Sequence, residues 1–134
     1  MNVQEKYQRL EDTVRQYNPG ANFDLIHAAF VYAEAHHRGQ NRKDGSPFIT
    51  HPLAVAQIVA QELHLDSESI AAALLHDTIE DTDATHEDIA RTFSPTIADI
   101  VEGVSKLTRV QAASKAEEQM ENLRKMLLAM SKDI

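Results

Sequence analysis

A short segment near the middle of the chain, AAALLHDTIEDT at residues 71–82, places ionisable side chains directly behind a run of small apolar residues. The ionisable residues include His76, Asp77, Glu80 and Asp81. Burying such groups without partners is costly, so they must be solvated, paired or bound to a ligand. A metal ion would satisfy an imidazole and a carboxylate together, and the segment therefore suggests a metal site.

A complete metal site needs ligands from a second element. His76 and Asp77 are adjacent, and on a helix adjacent side chains diverge by about 100°. Further ligands must come from elsewhere, and His51, near the start of the preceding predicted helix, is the natural partner. A His-Asp dipeptide on its own more often marks a solvated helix end, where an imidazole interacts favourably with the helix dipole.

The ligand chemistry is limited by composition. The chain contains no cysteine, so a transition metal would have to be held by imidazole and carboxylate groups, which suit Mn, Fe, Zn or Mg without deciding among them. A divalent ion would acidify a bound water and polarise a phosphoryl oxygen.

Two more acids follow the candidate ligands. Glu80 lies four residues after His76, and Asp81 lies four residues after Asp77. On a continuous helix each acid would stand one turn beyond a ligand, where it could orient a water or protonate a leaving oxygen. The alternative is a solvated acidic helix end, although acids at that position oppose the helix dipole.

A polar loop, RGQNRKDGSP at residues 38–47, precedes His51 and contains Arg42 and Lys43. A guanidinium can bind phosphate through two hydrogen bonds or stack on a base, whereas an ammonium group acts as a point charge. Such loops are often only solvated, but the position of this one favours contact with an anionic substrate. The positive island in this acidic chain consists of His36, His37, Arg38, Arg42 and Lys43.

Helical periodicity runs through the chain, and no segment shows the sustained two-residue alternation of a strand. The pattern predicts helices near residues 3–17, 22–37, 51–63, 67–81, 86–93 and 95–107, and from about 113 onward. Thr50 is predicted to cap the third helix, Gly39 to stop the second, and Thr85 with Asp88 to form a capping box. The expected fold is all-α, with six or seven helices in a single domain of 134 residues.

Several classes of function are disfavoured. A formal net charge of −8 argues against general nucleic-acid binding. There is no GxGxxG or P-loop motif, no signal peptide and no apolar run long enough to span a bilayer. We therefore expect a soluble, cytoplasmic protein without a membrane partner.

The ordered segments RKDGSPFITHPLAVA, AAALLHDTIEDT and GVSKLTR resemble the N-terminal hydrolase domain of the RelA/SpoT homologues, alarmone enzymes of the HD superfamily. The resemblance extends from YNPGANFDLIHAAFVYAEAHHRGQ to MLLAMSKDI. It implies an HD-type helical bundle across residues 1–134, with His51, His76 and Asp77 as three of four metal ligands. The ion it implies is usually manganese.

The resemblance also implies roles for the remaining residues. Glu80 and Asp81 would be the catalytic acidic pair, and Arg42 and Lys43 would contact the nucleotide. The implied reaction is hydrolysis of the 3'-pyrophosphate of (p)ppGpp to GDP or GTP and pyrophosphate. Two alternatives stay open: another HD-superfamily phosphohydrolase, and a metal- or nucleotide-binding module without turnover.

One departure from the family concerns the fourth metal ligand. In the family this is an Asp in a LADR-type motif, several residues after the KDI with which the present chain ends at Ile134. Asp133 belongs to that KDI and is not the missing ligand. The resemblance therefore implies that the end of the domain, and the synthetase and regulatory domains, lie outside residues 1–134. We expect weak metal binding and little hydrolysis from these residues alone.

Overall fold

A computed structural model describes the backbone of residues 1–110 and the side chains of residues 1–103. This part of the chain contains seven helices and no strand, which confirms the all-α prediction. The predicted helix from about residue 113 lies outside the described residues. The helices are α1 (Val3–Tyr17), α2 (Phe23–His37), α3 (Thr50–Leu63), α4 (Ser67–Leu75), α5 (Thr78–Asp81), α6 (His86–Thr92) and α7 (Pro95–Val110).

Helix α4 lies at the centre of the fold and packs against α2, α3 and α7. Every residue from Ser69 to Leu75 is buried. Its small residues, Ala71–Ala73, let the neighbouring helices approach closely. Helix α1 packs on α3, and α6 packs on α7. The most buried helix of the described core therefore ends directly before His76.

Most predicted helix ends are confirmed. The side chain of Asn22 accepts a hydrogen bond from the amide of Leu25 at 3.1 Å and so caps α2. Helix α2 stops before Gly39, whose φ of 88° lies in the left-handed region that favours glycine. Thr85 and Asp88 form the predicted capping box of α6. Local side-chain chemistry thus accounts for these boundaries.

The prediction that Thr50 caps α3 is wrong. Ile49 occupies the cap position, and within the described residues no side chain caps this helix. Thr50 is instead the first helical residue, and its hydroxyl donates a hydrogen bond to the carbonyl of Pro47 at 2.7 Å. This bond ties α3 to the preceding loop and leaves His51 in the first helical turn, as expected.

The prediction of one continuous helix over residues 67–81 is also wrong, because α4 ends at Leu75 and α5 begins at Thr78. Nδ1 of His76 donates a hydrogen bond to the carbonyl of Ala73 at 2.6 Å. The hydroxyl of Thr78 donates to the carbonyl of Leu75 at 2.7 Å. These side chains compete with backbone amides for the last carbonyls of α4. His76 and Asp77 consequently stand at a junction between two helices.

In the described part of the chain, no helix combines the length and the hydrophobicity required to cross a membrane.

Candidate active site

Three of the predicted side chains converge at the junction between α4 and α5. Nε2 of His51 lies 3.3 Å from Oδ2 of Asp77, and Nε2 of His76 lies 3.0 Å from the same oxygen. One candidate ligand atom from each residue lies within 4.8 Å of the other two. The structure thus brings His51 of α3 to the His76-Asp77 pair, and we call these three residues, which are candidate ligands of one metal ion, the metal cluster.

The geometry of the metal cluster suits a cation. Nδ1 of His76 donates to a backbone carbonyl, so in the neutral ring the lone pair lies on Nε2. Among the described residues neither Nε2 of His76 nor Oδ2 of Asp77 has a hydrogen-bond partner, although both atoms are buried. The two atoms lie 3.0 Å apart, but when the ring is neutral and the carboxyl group is ionised neither atom carries a proton to donate. A cation between them would satisfy both, and the residues present therefore fit a divalent metal.

The charge states of the cluster follow from burial and from the Asp77 carboxylate. Burial lowers the pKa of His51 to about 4, against the opposing effect of Asp77. Burial also disfavours the charged forms of His76 and Asp77, but their mutual attraction outweighs it, raising the pKa of His76 and lowering that of Asp77. Near pH 7 Asp77 is therefore ionised and His51 is neutral, the forms in which both bind cations.

Helix α5 carries both predicted catalytic acids, Glu80 and Asp81, on exposed positions. The amide of Asp81 donates to the carbonyl of Asp77 at 2.9 Å, so one helical turn joins the acids to the metal cluster. Partial desolvation, together with the carboxylates of Asp77 and Glu80, raises the pKa of Asp81. A carboxyl group with a raised pKa is suited to hold a proton for a leaving group.

The loop between α2 and α3 has a defined backbone. The amide of Arg42 donates to the carbonyl of Ser46 at 2.8 Å, and the amide of Gly45 donates to the carbonyl of Arg42 at 2.9 Å. Gly45 has a φ of 89°, which glycine adopts without strain. The side chains of Arg42 and Lys43 are exposed. An open cavity of about 460 Å³ lies beside them and is lined by Asn41, Arg42, Lys43, Asp44 and Phe48.

Only part of the predicted positive island belongs to the site. The charge of Arg42 adds to burial in lowering the pKa of His51, so this guanidinium acts electrostatically on the metal cluster. Arg38 instead pairs with Glu34 at 2.7 Å along α2. Nδ1 of His36 lies 2.9 Å from the carbonyl of Tyr32, also within α2.

His37 is a site residue that the sequence analysis did not assign. The residue is 2 % exposed, and its ring stacks on Phe48 with 4.6 Å between centroids. Phe48 in turn lies edge-on to His51 at 6.1 Å. Desolvation lowers the pKa of His37, and its ring is neutral near pH 7. The helical spacing of Ile26, Phe30, Ala33 and His37 is the feature that could have indicated its burial.

Comparison with known proteins identifies relatives of the chain. Residues 29–134 match the family described as HD domain. The chain is 49% identical over 125 residues to GTP pyrophosphokinase rsh of Brucella melitensis, covering 93% of this chain and 16% of that protein. It is 45% identical over 128 residues to the bifunctional (p)ppGpp synthase/hydrolase SpoT of Escherichia coli K12, covering 96% of this chain and 18% of that protein. The chain thus spans less than a fifth of these curated relatives.

A solved structure is also similar. It belongs to a metazoan ortholog of SpoT described as hydrolysing ppGpp, with a TM-score of 0.61 and 28% identity. The match covers 81% of this chain and 66% of that one. Together with the curated relatives, it confirms the resemblance to the RelA/SpoT homologues.

Proposed function

Because this chain belongs to the HD domain family, we propose that it catalyses metal-dependent hydrolysis of the 3'-pyrophosphate of (p)ppGpp, giving GDP or GTP and pyrophosphate. The observation that carries the proposal is the metal cluster, with the acidic helix α5 one turn away. Under this proposal residues 1–134 belong to a single HD-type hydrolase domain.

The names of the relatives support this reaction to different degrees. One is called a pyrophosphokinase and another a synthase/hydrolase. Each is several times longer than the present chain, so its name covers activities that can reside in other segments. The solved metazoan protein is described as hydrolysing ppGpp, and the match covers 66% of it. This match favours the hydrolase activity for the present chain.

We assign His51, His76 and Asp77 to a divalent metal. When bound, such an ion lowers the pKa of a water and stabilises negative charge on phosphoryl oxygens. Manganese is the proposed ion, on the basis of the resemblance, since the imidazole and carboxylate donors alone also accept Fe, Zn or Mg. The resemblance further implies a fourth ligand, an Asp located after Ile134.

We assign proton transfer to the acidic pair of α5. Water attacks the phosphorus attached to the ribose 3' oxygen, and the bond between that phosphorus and the oxygen breaks. One carboxylate orients the water and accepts its proton, while the other carboxyl group protonates the departing 3' oxygen. The raised pKa of Asp81 suits it to the second role, which leaves Glu80 for the first.

We assign binding of the substrate's phosphates to the loop at residues 38–47 between α2 and α3, which contains Arg42 and Lys43 and which we call the basic loop. Arg42 and Lys43 present two cations beside an open cavity that is also lined by Phe48, whose ring centroid lies 6.1 Å from that of His51 in the metal cluster. A guanidinium in this position can grip a phosphate through two hydrogen bonds, and the Lys43 ammonium can add a point charge. The loop would therefore hold the nucleotide while the residues of α5 act on its 3' end.

Substrate profiling tests the proposal. With Mn present, pyrophosphate should be released from ppGpp and pppGpp, whereas GTP and a cyclic dinucleotide should stay intact because they lack a ribose 3'-pyrophosphate. Comparable hydrolysis of a phosphodiester would indicate a different HD phosphohydrolase. Binding of Mn and ppGpp without any product would indicate a module without turnover.

The assay should be run on two chain lengths, residues 1–134 and a longer chain that includes the expected Asp. We expect little hydrolysis from the shorter chain and measurable hydrolysis from the longer one, because the additional carboxylate would complete the metal site. Full activity in the shorter chain would show that the fourth ligand is dispensable or replaced.

A further inference from the structure

Gln40 connects three parts of the candidate site. Its Nε2 donates a hydrogen bond to the backbone carbonyl of Asp81 at 2.7 Å. Its Oε1 lies 3.2 Å from Nδ1 of His37 at the end of α2. Its backbone carbonyl accepts a hydrogen bond from the amide of Phe48 at 3.0 Å, which closes the base of the basic loop. One residue therefore bonds to α2, to the loop and to α5.

The directions of these side-chain bonds follow from donor chemistry. A backbone carbonyl can only accept, so the amide nitrogen of Gln40 must face Asp81. The amide oxygen then faces His37, whose Nδ1 must carry the proton. His37 is fixed in turn by burial and by its stack on Phe48. The buried ring of His37 thus donates a hydrogen bond to Gln40, and Gln40 donates one to α5.

Helix α5 needs such a support. It has four residues, and terminal carbonyls of a helix lack partners inside the helix. The carbonyl of Asp81 is one of these, and Gln40 supplies its partner. Since α5 is separated from α4 by the junction at His76 and Asp77, the end of α5 is not fixed by helical continuity. The bond from Gln40 restrains the end that carries both acids.

We propose that Gln40 is a positioning residue, which holds Glu80 and Asp81 at a fixed place relative to the metal cluster and the basic loop. The inference rests on the proposed function, because it gives Gln40 a role in the same reaction. Loss of the bond should lower turnover more than binding, since the side chains of the metal cluster and of the basic loop remain in place.

The test is the variant Gln40→Met, which keeps an unbranched side chain of similar length but lacks the donor. In the chain length that shows hydrolysis, we expect kcat to fall at least about tenfold, since slight misplacement of catalytic groups can cost up to about 100-fold. KM and Mn affinity should stay within about twofold. The matched control is Gln57→Met, because Gln57 donates to Thr13 at 2.8 Å between α3 and α1, away from the acidic pair.

Amide hydrogen exchange in the metal-free chain gives a readout that does not depend on activity. Exchange over residues 78–82 should be faster in Gln40→Met and unchanged in Gln57→Met. If the original chain lacks ppGpp hydrolysis at both lengths, the proposed function fails. If Gln40→Met still accelerates exchange in that case, the role of Gln40 in restraining α5 is supported independently of the reaction. If the original chain is active and Gln40→Met leaves kcat unchanged, the positioning role is overturned.

The anchoring role of His37 can be tested in the same assay. His37→Phe keeps a ring against Phe48 but removes the Nδ1 donor to Gln40. Its effect on kcat should be smaller than that of Gln40→Met. The double variant should lose less than the product of the two single effects, because both changes act on α5 through the bond from Gln40 to Asp81. Independent, multiplicative losses would contradict the link between His37 and Gln40.

Discussion

Two buried atoms at the end of α4, Nε2 of His76 and Oδ2 of Asp77, have no hydrogen-bond partner within the described residues. A buried polar atom without a partner costs roughly 1–3 kcal/mol. The backbone bond at Nδ1 fixes the orientation of the His76 ring, which keeps Nε2 facing Asp77. Such preorganisation of donor atoms is expected of a metal site more than of a structural ion pair.

The first prediction at the residue scale concerns Arg42. Arg42→Ala should weaken ppGpp binding by about tenfold or more, the equivalent of losing about 1.4 kcal/mol. Mn affinity should change little, because the basic loop is proposed to contact the anionic substrate and not the ion. Calorimetric titration with each ligand measures both effects.

Arg38→Ala is the matched control, since Arg38 is paired with Glu34 on α2. It should leave both affinities unchanged. Equal loss of ppGpp and Mn affinity in Arg42→Ala would count against the proposed division of roles.

The second prediction concerns the acidic pair. Glu80→Gln and Asp81→Asn should each reduce turnover while bound Mn is retained, because both acids are assigned to proton transfer. Turnover is measured as pyrophosphate release, and Mn content by elemental analysis. Asp83→Asn, a change at an exposed acid just after α5, is the control. Loss of Mn on either change would make that acid a metal ligand instead.

At the scale of elements, the helical spacing of apolar residues predicted α1 and α2, and residue types favoured at helix starts predicted α3, α6 and α7. Neither signal predicted the junction between α4 and α5, since residues 71–81 contain no Gly or Pro. The break depends on side-chain hydrogen bonds from His76 and Thr78 to carbonyls of α4. Such bonds have no periodic signature in a sequence.

The third prediction tests this junction. Thr78 is fully buried, and its hydroxyl donates to the carbonyl of Leu75. Thr78→Val keeps the shape but removes the donor, so the free energy of unfolding should fall by about 1–3 kcal/mol. Mn affinity should fall as well, because the junction orients Asp77.

Urea denaturation measures the stability change, with Thr96→Val at an exposed position of α7 as the control. The control should stay within about 0.5 kcal/mol of the original chain. If Thr78→Val matched the control in stability, the hydroxyl would not be needed to form the junction.

At the scale of the whole molecule, the net charge of the chain does not describe the charge at the proposed substrate site. The chain carries a formal net charge of −8, yet the proposed substrate is a polyanion. The metal cluster and the basic loop lie close together and would offset this repulsion where the substrate binds.

The candidate ligands and both basic residues could be assigned from residue type, spacing and resemblance. The bond from Gln40 to Asp81 could not, because it joins residues 41 positions apart through backbone and side-chain atoms.

The fourth prediction concerns stability in the presence of metal. The cluster joins α3 to the junction between α4 and α5, so an ion bound there should stabilise the folded chain. At a Mn concentration about 100 times the Kd, the gain is about 2.7 kcal/mol and the Tm should rise. His51→Gln should remove most of the rise, whereas His27→Gln, at an exposed position of α2, should not. An equal rise in all three proteins would place the Mn site elsewhere.

The most direct test of the central claim is Mn-dependent release of pyrophosphate from ppGpp by the original sequence and by Asp77→Asn, each with the chain extended through the expected Asp. We predict that the original sequence releases pyrophosphate and leaves GDP, and that Asp77→Asn loses both bound Mn and activity while remaining folded. Equal activity in the two proteins, or no release from an extended original chain with Mn bound, would contradict the assignment of this site to (p)ppGpp hydrolysis.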